Sequence, residues 1–442
     1  MPGLRYSSSR GASPEVGLSE AVRQGLAPDG GLYVPNRLPG VDPGRIARAA
    51  RLPDIARGAL EGFFAGDPLQ AKLGEIAEAA LDFPAPTTAV DRCADPLFVL
   101  ELFHGPTAAF KDFGARFLAE TLERTQSAVD APLAAARAPM TILVATSGDT
   151  GGAVAAAFHR RPWVRIVILY PRGLVSARQE QQLTCWDGNV TALRIGGTFD
   201  DCQRLVKEAF LDARLKARHR FSSANSINIG RLLPQMVYYV ASSLEIERRT
   251  GRKASFVIPA GNLGNAFAAM WARALGFPIE RIVLAHNANR TVPDFLRDGE
   301  WRPRPSIATL ASAMDVGNPS NMERVRALYP SFASLREQLT AQSVDDATIR
   351  ARIGEDFMRF GREWCPHTAT AAEIYHRLSE SERRSSPWVL VATAHPAKFN
   401  DIVEPIIGKP VEVPPSLARL LALPQRFLDL PPTLEAVAAA LE

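Results

Sequence analysis

Lysine is scarce in this chain, with seven against 44 arginines. A composition so tilted to arginine seldom keeps a lysine where any cation would serve, and only lysine has the amine that forms an imine. Cysteine is scarce too. Cys93, Cys185, Cys202 and Cys365 lie far apart, with no C-x-x-C pair and no metal-like spacing. That excludes a disulfide framework and leaves no metal candidate; the four read as free thiols in a reducing compartment. No apolar run approaches the length of a membrane span, and the N-terminal MPGLRYSSSRG lacks the apolar stretch of a secretory signal. The expected location is the cytoplasm, with no membrane partner. Blocks of like charge are also missing. The net charge is +4, but the basic residues are scattered, so no nucleic-acid partner is expected. Neither G-x-G-x-x-G nor G-x-x-x-x-G-K-[ST] occurs, which removes the usual nucleotide fingerprints.

The 442 residues are too many for one compact core, and the composition, 46% hydrophobic and 22% charged, is that of an ordinary globular enzyme. From about residue 96 short β-rich runs alternate with helical patterns. Strands are expected at 141–146, 164–170, 190–195, 255–259, 281–285 and 389–393. Helices are expected at 153–159, 179–186, 200–218 and 232–244, and after residue 266. Buried apolar strands alternating with helices predict parallel α/β layers, whose strand carboxyl ends bind ligands. Residues 331–365 read as a helical peripheral segment. The tail with Pro410, Pro414, Pro415, Pro424, Pro431 and Pro432 reads as surface wrapping. The expected division is an N-terminal mainly helical domain at 1–95, a small α/β domain at 136–219, and a large α/β domain from 96–135 and 220–442.

Chemistry is concentrated in a few runs. Lys111 sits in HGPTAAFKDFG (104–114), among Gly, Pro, Thr and two Phe, where desolvation would lower its pKa and free the amine. Taken alone it reads sooner as a surface lysine paired with Asp112, and three other motifs tip the balance. PAGNLGN (259–265) joins a strand to a helix; its glycines and the helix N-terminus suit a phosphate, or form an ordinary turn. In ATSGDTGG (145–152), Ser147 and Thr150 suit a carboxylate or phosphate, while Ser147 or Asp149 would also serve as an N-cap. Ser226, Asn228 and Arg231 in SANSINIGR (223–231) would grip a phosphoryl group, or cap a helix beside a solvent-facing arginine. Thr393 ends a strand with a hydroxyl that can meet a ring nitrogen, and Lys398 can contact an anion. An imine-competent lysine, a phosphate cradle, an anion loop and a hydroxyl at a sheet end form the inventory for pyridoxal 5′-phosphate.

At these residues the chain resembles the threonine synthase family, pyridoxal-phosphate enzymes of fold type II. The resemblance runs nearly end to end. It starts with YSSSRG (6–11) and Gly25 to Pro35. It continues through HGPTAAFKDFGARF (104–117), ATSGDTGGA (145–153), SINIGR (226–231), PAGNLGN, DVGNPSN (315–321), HTATA (367–371) and ATAHPAKF (392–399). Two positions depart from the family pattern: Leu263 stands where Phe is usual, and Ser9 where Thr is common. The resemblance implies two open parallel α/β domains with an added N-terminal, mainly helical domain. It implies Lys111 as the Schiff-base lysine and Gly261, Asn262, Leu263, Gly264 and Asn265 around the cofactor phosphate, mostly through backbone N–H groups. Thr393 would meet the pyridine nitrogen. Ser147, Gly148, Thr150, Ser226, Asn228, Arg231 and Asp112 would surround the substrate.

The implied substrate is O-phospho-L-homoserine, converted with water to L-threonine and phosphate by β,γ-elimination and replacement in threonine biosynthesis. The expected assembly is a monomer or homodimer. Two rival readings carry other outcomes. A related lyase of the same fold, phospho-lyase or threonine-dehydratase-like, would release a keto acid. A non-catalytic homologue would bind the cofactor only.

Overall fold

The computed structural model describes residues 3–91, 93, 95–129 and 139–442. In chain order its strands are β1 (Tyr6–Ser8), β2 (Tyr33–Pro35), β3 (Thr87–Ala89), β4 (Leu97–Glu101), β5 (Met140–Ala145) and β6 (Val164–Pro171). Then come β7 (Val190–Ile195), β8 (Arg220–Ser222), β9 (Ala254–Pro259), β10 (Ile279–His286), β11 (Thr340–Ser343), β12 (Trp388–Ala392) and β13 (Leu428–Leu430). β1 and β2 form an antiparallel pair in the otherwise helical N-terminal segment. The other eleven make two sheets.

The larger sheet runs β11-β10-β9-β12-β4-β3. Its strands are parallel except for β3, which is antiparallel to β4 at the edge. β9 (ASFVIP) and β12 (WVLVA) are buried along their whole length. Unbroken apolar runs of this kind are what a parallel sheet covered on both faces requires. Val389 lies opposite Phe256 on one side and Phe98 on the other, so β12 is central. The carboxyl ends of β4, β12 and β9 therefore stand side by side, and the runs that follow them converge.

The smaller sheet is wholly parallel, in the order β13-β7-β6-β5-β8. Both of its edges come from outside residues 136–219. β8 has only three residues, Arg220, Phe221 and Ser222, too few for a periodic pattern to announce. β13 comes from the tail, which does more than wrap the surface. Leu428 pairs with Leu193, Gly196 N donates to Leu430 O at 2.9 Å, and the following helix buries Val437 and Leu441 against Leu143, Leu169 and Leu193. The proposed boundary at 135/136 lies outside the described residues. Truncation after Leu423 is expected to cost about 3–6 kcal/mol from these two side chains alone, at roughly 1.5–3 kcal/mol each. A urea melt with an unmoved midpoint would refute this.

Other local expectations shift for identifiable reasons. The helix expected at 153–159 begins at Asp149, so Asp149-Thr150-Gly151-Gly152 is its first turn instead of a loop. The helix expected at 200–218 is two, Phe199–Leu211 and Ala213–Arg218, because Asp212 stops one and caps the next through the N–H groups of Arg214 and Leu215. The 331–365 segment contains β11, a polar Thr-Ala-Gln-Ser edge strand with no apolar alternation to reveal it. The main core joins N-terminal residues such as Phe63 and Leu60 to the helices Lys111–Val129 and Ile229–Thr250.

Candidate active site

Lys111 is the first residue of the helix Lys111–Val129, at the end of the loop leaving β4. That loop is stitched to the one leaving β12. Leu102 N donates to Ala392 O at 2.9 Å, Phe110 N to Thr393 O at 2.8 Å, and His395 N to Ala108 O at 3.0 Å. Ala108 holds φ at 55°, a left-handed conformation unusual for alanine. Asp112 accepts from Thr107 N at 2.8 Å and Thr107 Oγ1 at 2.6 Å. Both of its oxygens are turned into its own loop, so it does not pair with Lys111.

The side chain of Lys111 is half-buried where the loops leaving β4 and β12 are stitched together. Burial pushes its ammonium down to about 8; Arg231 and Lys398 add to this, while Asp149 opposes it. Lys111 forms no ion pair among the described residues. The neutral amine is therefore accessible near neutral pH. Its attack on a carbonyl should rise with pH and level off above about 8, because the reactive form is the deprotonated one. A pH profile of cofactor capture that is flat from pH 6 to about 10 would refute this.

Gly261–Asn265 follows β9 and opens the helix Gly264–Ala274. Leu263 takes φ 63°, and a Cβ on Gly261 would lie 2.8 Å from Met314 Cα. Asn262 braces the loop. Its Nδ2 donates to Ser226 Oγ at 2.8 Å, its Oδ1 accepts from Ser320 N, and Asn321 Nδ2 donates to its carbonyl at 2.9 Å. Asn265 Oδ1 accepts from both Tyr238 and Tyr239, while its Nδ2 is buried without a partner. An orphan donor beside the first N–H groups of a helix is what a bound phosphate satisfies. Together with the unpaired Lys111 amine, these residues fit pyridoxal 5′-phosphate. The Thr393 hydroxyl makes no hydrogen bond with another described side chain and stands at the end of β12.

The ATSGDT turn follows β5 of the other sheet. Thr146 Oγ1 accepts from Gly148 N at 3.0 Å and Gly151 N at 2.9 Å, which shapes the turn. Gly148 holds φ at 129°. The hydroxyls of Ser147 and Thr150 are half-buried and uncommitted. Asp149 is buried and joins Gln179 Nε2 at 2.9 Å and Lys398 Nζ at 2.9 Å. Burial pushes its carboxyl up, but Lys398 and Lys111 outweigh that and hold it well below the usual range.

The residues of SINIGR are placed unevenly. Ser226 faces Asn262. Asn228, though, is fully buried and wholly committed. Its Oδ1 caps Gly230 N at 2.9 Å and its Nδ2 donates to Val22 O at 2.9 Å and Ser223 O at 3.1 Å. Arg231 does not face solvent. It is buried, donates to Ala224 O and, at 3.5 Å, to Lys111 O, and leaves Nε unpartnered; burial lowers its pKa to about 10.

Sequence reasoning passed over three neighbours. Arg324 is buried, forms no ion pair among the described residues, and donates to Tyr33 O, Ser226 O, Ile227 O and Asn321 Oδ1; burial lowers its pKa to about 9. His367 accepts from Ala313 N at 3.1 Å through Nε2, and burial holds it neutral, down to about 4. Asp149 was weighed only as a cap. The one available signal was that Asp149 and His367 lie inside polar runs; nothing marked Arg324.

Residues 83–394 match the family described as pyridoxal-phosphate dependent enzyme. The chain is therefore a pyridoxal-phosphate-dependent enzyme of the open α/β type. Residues 5–81 match the threonine synthase N terminus, and residues 368–441 match threonine synthase, C-terminal. Threonine synthase of Escherichia coli (strain K12) is 41% identical over 419 residues, 94% of each chain, and that of Serratia marcescens is 39% identical over 94% of each. The crystal structure of threonine synthase from Escherichia coli superposes with a TM-score of 0.89 at 38% identity, covering 99% of both chains. The PLP-bound threonine synthase from Brucella melitensis gives 0.87 at 34%, over 99% of this chain and 98% of that one. The chain belongs to the threonine synthase family. Among the described residues no helix is long and apolar enough to cross a membrane.

Proposed function

We propose that this chain converts O-phospho-L-homoserine and water to L-threonine and phosphate. The observation that carries the reading is the unpaired Lys111 amine, standing where the loops from β4, β9 and β12 meet. Bound there, pyridoxal 5′-phosphate supplies an electron sink for the carbanion formed at the substrate Cα.

The chain's own groups do the rest. Asn265 Nδ2 and the first N–H groups of the helix Gly264–Ala274 hold the cofactor phosphate. The Thr393 hydroxyl meets the ring nitrogen. Ser147, Gly148 and Thr150 take the substrate carboxylate at the start of the helix Asp149–Phe158, where the dipole favours an anion. Lys111, as a neutral amine, would take up the Cα proton as a general base of suitable pKa. Ser226 and the buried, carbonyl-bound guanidiniums of Arg231 and Arg324 make the wall beside Asn262 electropositive and favour loss of phosphate from Cγ. Asn228 holds this wall in place through its cap, not through contact. Asp112 acts likewise, by fixing Thr107.

The test is to supply O-phospho-L-homoserine to the holoenzyme and assay phosphate and threonine together. Equal release of both supports the reading. Phosphate with a keto acid and ammonia would replace it with the lyase, and no turnover of a folded, cofactor-loaded protein would leave a binding protein.

A further inference from the structure

Five of the seven lysines are exposed; the other two, Lys111 and Lys398, meet at the strand ends. In a chain that uses arginine as its ordinary cation, both positions keep a compact ammonium. Lys398 is fully buried in the turn that follows β12. Its Nζ donates to the Asp149 carboxylate at 2.9 Å and to the Thr107 carbonyl at 2.8 Å. Asp149 is 4% exposed, and Gln179 Nε2 donates to the same carboxylate oxygen. Lys111 lies within the field of this carboxylate but is not paired with it. One buried anion thus faces two ammoniums, and Lys398 holds it.

We propose that Lys398 is a positioning residue, which engages Asp149 so that the Lys111 amine stays unpaired and available. This rests on the reading of Lys111 as the cofactor lysine. A buried carboxylate deprived of its partner takes the nearest cation, and pairing favours the charged form of that cation. After Lys398, the cation that acts most strongly on the Asp149 carboxylate is Lys111. The other groups facing the cluster do not compete for the role. Arg231, from the helix Ile229–Thr250, is a cation bonded to carbonyls. Asp112 is held by Thr107. His367, from the helix Pro366–His376, is neutral. The pair also bridges the two sheets, since Asp149 follows β5 and Lys398 follows β12. Ser176 Oγ donates to Lys398 O at 2.8 Å and Arg178 to Ala397 O at 2.6 Å, which hold that bridge in register.

The test uses the full-length chain freed of cofactor and mixed with pyridoxal 5′-phosphate between about pH 6 and 10. In capture the Lys111 nitrogen adds to the aldehyde carbon, and the aldehyde oxygen leaves as water. The rate, followed by absorbance, reports the fraction of neutral amine. Lys398→Met is expected to raise the midpoint by at least about one pH unit, a roughly tenfold slower capture at pH 7. Lys398→Gln, which keeps a donor for the Thr107 carbonyl, carries the same expectation if the methionine variant does not fold. Adding Asp149→Asn to either variant removes the competing anion and should bring the midpoint back to within about 0.3 units of wild type. An unmoved midpoint in the Lys398 variants would overturn the proposal. So would a raised midpoint that persists after Asp149→Asn, since the effect would then lie in packing. Capture by a Lys111→Ala variant would instead defeat the underlying reading of Lys111.

Discussion

Lys111→Ala is expected to lower threonine formation by a factor on the order of 10⁴ or more, as loss of a nucleophile that is also the proton-transfer group does. The fold should survive. Asp112 is bonded to Thr107, so no ion pair is lost, and removal of a desolvated ammonium relieves a cost instead of adding one. Lys111→Arg should fail as completely, because guanidinium keeps the charge but offers no nucleophilic amine. Phosphate and threonine assays beside a thermal melt separate the two effects. Near-wild-type turnover in the alanine variant would defeat the assignment, and a melt lowered in step with activity would make Lys111 structural.

Gly261→Ala should weaken both the fold and the cofactor site. The new methyl carbon would lie 2.8 Å from Met314 Cα and 3.2 Å from Ala313 O. Both are backbone atoms, so no rotamer change relieves the contact. The segment it pushes is held from behind. His367 accepts from Ala313 N, and Asp315 is tied to Thr309 N, Thr309 Oγ1 and Asn287. The expected loss is about 1–3 kcal/mol, the usual range for overpacking. Cofactor affinity should fall at least tenfold or so, since the same atoms abut the loop proposed to hold the cofactor phosphate. Gly173→Ala is the control. Gly173, unlike Gly261, has a positive φ, 70°, but nothing lies within 4 Å of the added carbon, so strain costs only about 1 kcal/mol there and the cofactor titration should not move. Equal affinities in the two variants would refute the steric argument.

The readable part of the site was its list of loops. Small residues, hydroxyls and glycines at strand ends have local causes, and the runs around Lys111, Gly261 and Ser147 fall where those causes act. Side-chain direction was not readable. Asn228 and Arg231 looked like ligand contacts because their types suit a phosphoryl group, and the family resemblance placed Asp112 beside them. Burial turned Asn228 into a cap, Arg231 into a carbonyl-bound cation and Asp112 into a clamp on Thr107. Arg324 gave no local sign, because its partners lie on residues 33, 226, 227 and 321, and only the packed chain brings those together.

The chain alone determined the strand–helix alternation and the parallel layers, and it singled out one lysine for the proposed imine, because hydrophobic period, turn chemistry and residue type are local properties. Tertiary structure decided which strand ends are neighbours. It brought Arg220–Ser222 and Leu428–Leu430 to opposite edges of one sheet, and it set Asp149 against Lys398 across two sheets. Those outcomes depend on hydrogen bonds and charges meeting over long chain separations. Their energies come from desolvation and register, which no local pattern records.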